Sequence, residues 1–157
     1  MTRMTEQPVP GSKIIRELSG RDLNKDGRII NLVICGDSRF YNYEWVEEQL
    51  EQWIKWNAYP DLIILGGASG VDYLAERWAG NYAIPLAIFN EAWNEPRKGL
   101  QDHGRPEAPS DLSGRMLERA THLIAFPGPE SKWTKVMVEH ARMKGIPTAV
   151  VPVPEDG

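Results

Sequence analysis

Apolar residues along this chain fall into five short runs, separated by longer stretches with a helical repeat. Ile29-Ile-Asn-Leu-Val-Ile-Cys35 is nearly continuous, as strands buried on both faces are in parallel sheets. Leu62–Leu65, Pro85–Phe89, His122–Phe126 and Pro147–Val153 read the same way. Between them the period changes. From Tyr43 to Trp56, residues Val46, Leu50, Trp53 and Ile54 form one stripe, with Glu44, Glu47 and Glu48 near the positive end of the helix. Val71, Leu74, Ala75, Trp78, Ala79 and Tyr82 share a face of a second helix. Ser110 or Asp111 can cap a short helix reaching about Arg119. Ser131 to Lys144 places Trp133, Val136, Met137, His140 and Ala141 on one side, and Gly145 stands where a C′ glycine closes a helix. Strands alternating with helices predict an α/β fold: a single Rossmann-like three-layer domain with a mainly parallel five-stranded sheet.

The ends and one internal stretch break this alternation. Residues 1–28 read as an N-terminal extension, and residues 29–157 as the domain. Met1 to about Ser12 is polar and proline-containing and reads as a tail. Lys13 to Leu18 fits a short strand or one helical turn. Asp22-Leu-Asn24-Lys-Asp26-Gly27 matches the first half of a calcium loop, but the twelfth position, which must supply a bidentate carboxylate, is Val33. The Asp26-Gly27 dipeptide favours a hairpin turn instead, so no metal site is assigned. Residues 90–110 hold Pro96, Gly99, Gly104, Pro106 and Pro109, together with Trp93, Arg97, Lys98, His103 and Arg105. A segment of that length inside a compact domain is functional or disordered.

Composition narrows the classes. With 157 residues, one domain with a real core is expected. A net charge of −4 and a pI near 5.4 argue against a protein that coats nucleic acid. Cys35 is the single cysteine and sits in an apolar run, which suits a reducing, cytoplasmic setting. No apolar run reaches the length of a membrane span, and the first residues lack a signal-peptide core. Six tryptophans are many for this length; those at 45, 53, 78 and 133 fall in helical patterns and read as core or interface anchors. His103, His122 and His140 have no metal-ligand spacing around them.

The chemistry is expected at strand ends. In open α/β sheets, ligands bind beyond the carboxyl ends of the strands, where the strand order reverses. Three turns qualify: Gly36-Asp37-Ser38-Arg39, Gly66-Gly67-Ala68-Ser69-Gly70 followed by Asp72, and Pro127-Gly128 through Thr134. Glycines let a ligand approach the backbone, and a helix N-terminus offers N–H groups and a positive dipole end to an anion. Neither G-x-x-x-x-G-K-[ST] nor G-x-G-x-x-G is present, so this is neither a P-loop nor a conventional dinucleotide fingerprint. Asp72 reads either as a first-turn carboxylate complementing the dipole or as an acceptor for ribose hydroxyls. Arg39 at a strand end suits a phosphate.

Taken together, Gly36-Asp37-Ser38-Arg39-Phe40, Gly66-Gly67-Ala68-Ser69-Gly70-Val71-Asp72-Tyr73-Leu74-Ala75, Ala92-Trp93, Met116-Leu117 and Ala125-Phe126-Pro127-Gly128 resemble the YspA-like, cpYpsA-related SLOG proteins. The resemblance spans about residues 29–151, and its second block is the most specific. It implies a Rossmann-like fold that binds a nucleotide-derived ligand. Some members sense cyclic ADP-ribose-type signals, Lonely-guy relatives cleave the N-glycosidic bond of nucleoside monophosphates, and DprA-type relatives bind single-stranded DNA. By position, it implies that Gly36, Asp37, Ser38 and Arg39 border the ligand, that Gly66, Gly67, Ala68, Ser69, Gly70 and Asp72 contact phosphate or ribose, that Trp93 walls the pocket, and that Gly128 and Thr134 close it.

Several positions depart from that pattern. Ser69 stands where the family commonly has arginine, and Leu112-Ser113 where it has Arg-Asn. Arg97, Arg105 or Arg115 are candidates to replace the missing cation. The usual Gly-Gly-x-Gly-Thr after the fourth strand is reduced to Pro127-Gly128 and Thr134, and the glutamate that hydrolase relatives place soon after that threonine is absent, with Val136 and Met137 in its place. Binding is therefore favoured over N-glycosidic hydrolysis, for which Asp72, Glu130 and Glu139 are the candidate catalytic carboxylates. No cofactor is expected. The expected partner is a nucleotide-derived small molecule, with room for a homodimer or higher homo-oligomer; DNA binding is disfavoured by the acidic balance.

Overall fold

The computed structural model describes residues 11–67, 69–89 and 112–154. In chain order the elements are α1 (Gly11–Leu18), β1 (Asn31–Gly36), α2 (Tyr43–Trp56), β2 (Leu62–Leu65), α3 (Val71–Asn81), β3 (Leu86–Ile88), α4 (Leu112–Leu117), β4 (His122–Phe126), α5 (Lys132–Met143) and β5 (Thr148–Val150). The five strands form one sheet in the order β3-β2-β1-β4-β5, and every neighbouring pair is parallel. The chain builds outward from β1 to β3, then returns to place β4 on the other side of β1. The order therefore reverses between β1 and β4.

Two layers of helices cover the sheet. Ile30, Leu32, Ile34, Ile63, Leu65, Ile124 and Phe126 face α2 and α3, where Val46, Leu50, Trp53, Leu74 and Trp78 close the core. The alternate residues Val33, Cys35, Leu62, Ile64, Ala87, Leu123 and Ala125 face α1, α4 and α5. Alternation of side chains along a strand means that a strand covered on both faces must be apolar throughout, which is why the runs are continuous. Trp78 is wholly buried and Trp53 nearly so, while Trp45 packs edge-on between Phe40 and Phe126 at 5.3 and 5.5 Å. Trp56 lies outside the core and is 85% exposed.

Helix ends follow local chemistry. The Asn42 side chain accepts the Trp45 N–H and starts α2. Gly145, with φ of 76°, closes α5, its N–H bonding Arg142 while Ile146 N–H reaches the Ala141 carbonyl.

In the N-terminal extension, the helical alternative holds for Lys13 to Leu18 and the helix starts earlier, at Gly11. Residues 11–18 form it because Ile15 joins the second core layer and Gly11 packs against Ile88 and Phe89 at the end of β3. Asp22 to Gly27 makes a turn, but its two flanks do not pair as a hairpin. The Asp22 carboxylate accepts the N–H groups of Asp26 and Gly27. Asn24 is used elsewhere: its amide donates to the carbonyls of Tyr59 and Pro60, and its backbone N–H to Asp61. Asp61, 1% exposed, also accepts the Ile30 N–H at 2.7 Å, so one buried carboxylate ties the turn to the starts of β1 and β2. Asn31 plays a similar part, its amide donating to the carbonyls of Ser19 and Arg119. Among the described residues, no helix is long and apolar enough to cross a membrane.

Candidate functional site

The register aligns Gly36 with Phe126, Leu65 with Ile88, and Ala125 with Val150, so the strands finish along one edge. All three glycine turns leave from that edge. The first and third flank the reversal between β1 and β4, where such sheets bind ligands.

The turns are locked together around Asp37. Its N–H donates to the Phe126 carbonyl, and its own carbonyl accepts the Val71 N–H at 3.0 Å, capping the first turn of α3 from another segment. The Ser69 hydroxyl donates to the Ser38 carbonyl at 2.9 Å. A Cβ at Gly70 would overlap the Asp37 carbonyl oxygen, and one at Gly128 would overlap the Asp37 carboxylate. At Gly36 a Cβ would lie 2.6 Å from the Phe126 oxygen. At these three glycines the space a side chain would need is filled by protein. Gly66 and Gly67 differ. A Cβ at Gly66 would meet nothing closer than the Met116 sulfur at 3.5 Å, and Gly67 has φ of 82°, in the region glycine adopts freely.

Asp72 and Asp37 take different positions. Asp72 is 4% exposed, and its carboxylate lies beneath Gly66, with Oδ2 3.6 Å from the place a Cβ would occupy. It is also close enough to Cys35 to act on it: burial, and then the Asp72 charge, push the Cys35 thiol far above its ordinary range. Asp37 is half-buried. Its Oδ1 accepts the Arg39 N–H at 3.0 Å, an Asx turn. Its Oδ2 rests against Gly128 and has no hydrogen-bond partner among the described residues.

The remaining candidates divide. Ser38 lines the junction, Ser69 is exposed at it, and Arg39 is exposed beside it. Gly128 N–H is held by the Ser131 hydroxyl at 2.8 Å, so Ser131 caps the turn instead of α5. As a result α5, like α3, begins without a side-chain cap, in contrast to α2. Thr134 is in the first turn of α5 but 1% exposed, so its side chain belongs to the packing there. Arg115, on α4, sits over the Phe89 ring at 5.9 Å, beside the end of β3. Glu130 and Glu139 are exposed, and Glu139 lies on the outer side of α5, opposite Met137 and Ala141. Ala68, Trp93, Arg97, Lys98, His103 and Arg105 lie outside the described residues. His140 bonds the Ser113 hydroxyl at 2.8 Å, and His122 bonds Thr121 at the opposite edge of the sheet.

Two features escaped the sequence reading. Ser131, three residues after Gly128, had the spacing of a hydroxyl that folds back on a turn N–H. Tyr41 and Tyr73, 55% and 53% exposed, meet at 6.3 Å where the first turn leads into α2 and the second into α3. At the far edge a groove of about 280 Å³, lined by Trp53, Trp56, Asn57, His122, Pro147, Thr148 and Ala149, carries none of the candidate residues.

Comparison with curated proteins and with solved structures gives no match. The sequence model of the YspA, cpYpsA-related SLOG family matches residues 30–95. That segment contains β1 to β3 and the first two glycine turns; Met116-Leu117 and the Pro127-Gly128 turn lie beyond it. Over residues 30–95, which include the first two glycine turns, this chain is similar to the YspA, cpYpsA-related SLOG family.

Proposed function

We propose that this protein binds a nucleotide-derived small molecule, a nucleotide or an ADP-ribose-like ligand, at the carboxyl edge of its sheet. The similarity of residues 30–95 to this family supports a nucleotide-related ligand or a glycosidase-like role. The observation that carries the binding reading is the convergence of three glycine turns on Asp37 at the reversal between β1 and β4. Around it stand the recognition elements such a ligand needs. The N-termini of α3 and α5 lack side-chain caps, and although the Asp37 carbonyl takes the Val71 N–H of α3, the positive dipole ends of both helices favour a phosphate. Arg39 is exposed at the rim, and Tyr41 and Tyr73 offer faces on which a base can stack. Hydrolysis is less well supported, because Glu139 lies on the outer side of α5, Glu130 is exposed in the third turn with no partner for its carboxylate among the described residues, and Asp72 is buried beneath Gly66.

Isothermal titration calorimetry against AMP, NAD and ADP-ribose, followed by chromatography of each mixture, tests this. The expected result is saturable binding of at least one compound without product. Release of a free base would replace the binding reading with the glycosidase one. No heat with any of the three would overturn both.

A further inference from the structure

Resting on that binding reading, we infer that Asp37, and not Asp72, is the carboxylate that recognises the ligand, by accepting hydrogen bonds from a ribose hydroxyl pair. The sequence points to Asp72, which directly follows the glycine turn. The structure turns that side chain inward, 4% exposed under Gly66 and against Cys35. Asp37 takes the position Asp72 vacates. It stands at the end of β1, beside the end of β4, where the strand order reverses. One of its oxygens is fixed by the Arg39 N–H, which sets the plane of the carboxylate. The other rests on the bare Cα of Gly128 and has no protein donor among the described residues.

The chemistry follows from the charge. An ionised carboxylate only accepts hydrogen bonds, so the ligand group that meets Asp37 must be a donor. Phosphate is disfavoured there by like charge, and its place is toward the positive dipole ends of α3 and α5. In a nucleotide-derived ligand, the uncharged donors joined most closely to the phosphate are the ribose hydroxyls. Gly128 is part of the same device. Its φ is not in the left-handed region, so the backbone there tolerates a side chain, and the space it leaves is the space the Asp37 carboxylate fills.

The test compares AMP and ADP-ribose with their 2′-deoxy analogues by calorimetry, on the wild type, Asp37→Asn and Gly128→Ala. Asp37→Asn keeps an oxygen for the Arg39 N–H, so the turn is preserved while the acceptor becomes a donor. The wild type is expected to prefer the ribose form. Asp37→Asn should weaken it by roughly ten- to a hundredfold, the range for hydrogen bonds to a charged group, and weaken the deoxy form, which keeps only the 3′-hydroxyl of the pair, by clearly less. Gly128→Ala, which must displace the carboxylate, should reduce the same preference. Equal loss for both forms, or no loss for either, would overturn the assignment while leaving the binding reading intact. A loss seen only with Mg²⁺ present would overturn it in favour of a bridging cation. If the wild type binds none of these compounds, the binding reading itself fails and this assignment with it.

Discussion

Asp61 shows how much a single buried carboxylate can organise. Its two oxygens accept the backbone N–H groups of Asn24 and Ile30, one from a turn and one from the start of the first strand region. Removing the acceptor leaves those donors without their partner in a site that is 1% exposed. Asp61→Ala is therefore expected to lower stability by about 3 kcal/mol, combining the lost charged hydrogen bonds with the desolvated N–H groups. Urea denaturation of the variant checks this. Asp72 and Cys35 teach the complementary lesson. Both residue types invite a functional reading, and both are turned into the interior, where burial raises the thiol pKa and keeps Cys35 in its unreactive form.

Elements are bounded here by chemistry that reads locally. Asn42 opens α2 through the Trp45 N–H, and Gly145 ends α5 in the left-handed region. Asn42→Ala should cost about 1 kcal/mol by leaving an N-terminal N–H without its acceptor. Gly145→Ala should cost a similar amount, about 1 kcal/mol, because a Cβ is strained at positive φ. Thermal or urea unfolding reads both, and equal stability of either variant with the wild type would show that the cap contributes nothing. The expected span of α2, Tyr43–Trp56, agrees with the structure, as do those of β2 and β4. An apolar stripe at helical spacing, a cap at one end and an apolar run beyond it are short-range signals. The 11–18 segment was ambiguous for the opposite reason. Eight residues carry too few apolar positions to fix a period, and what makes them helical is the packing of Ile15 and Gly11 against the sheet.

For the molecule as a whole, one titration links structure to pH. Burial at the foot of β4, and then the Arg28 charge, hold the His122 imidazole below its ordinary value of 6.5. The folded state therefore disfavours the protonated ring. As pH falls through about 6.5, the unfolded chain takes up this proton before the folded one, so stability declines until the folded ring protonates as well; above that window the contribution is constant. Urea unfolding between pH 8 and pH 5 should show this decline, and His122→Gln should remove its part of the slope. An unchanged slope would assign the pH dependence to other groups.

The sequence by itself determined the alternation of strands and helices, the parallel sheet with two covered faces, and the three glycine turns at the strand ends, because each rests on neighbours within a few residues or on the continuous apolar runs that double burial demands. Its resemblance to SLOG proteins pointed to the same turns. What only the tertiary structure decided is how those turns use their residues. Gly70 and Gly128 meet Asp37 across tens of residues of sequence, and that contact depends on the order of strands in the sheet. Pattern and spacing show that a glycine is present but not whether a ligand or another segment fills the space it leaves. They place Asp72 beside a glycine turn but do not show which way its side chain points. The packing of the turns decides both: Asp72 is buried beneath Gly66, while Asp37 is half-buried at the strand ends with one oxygen accepting the Arg39 N–H.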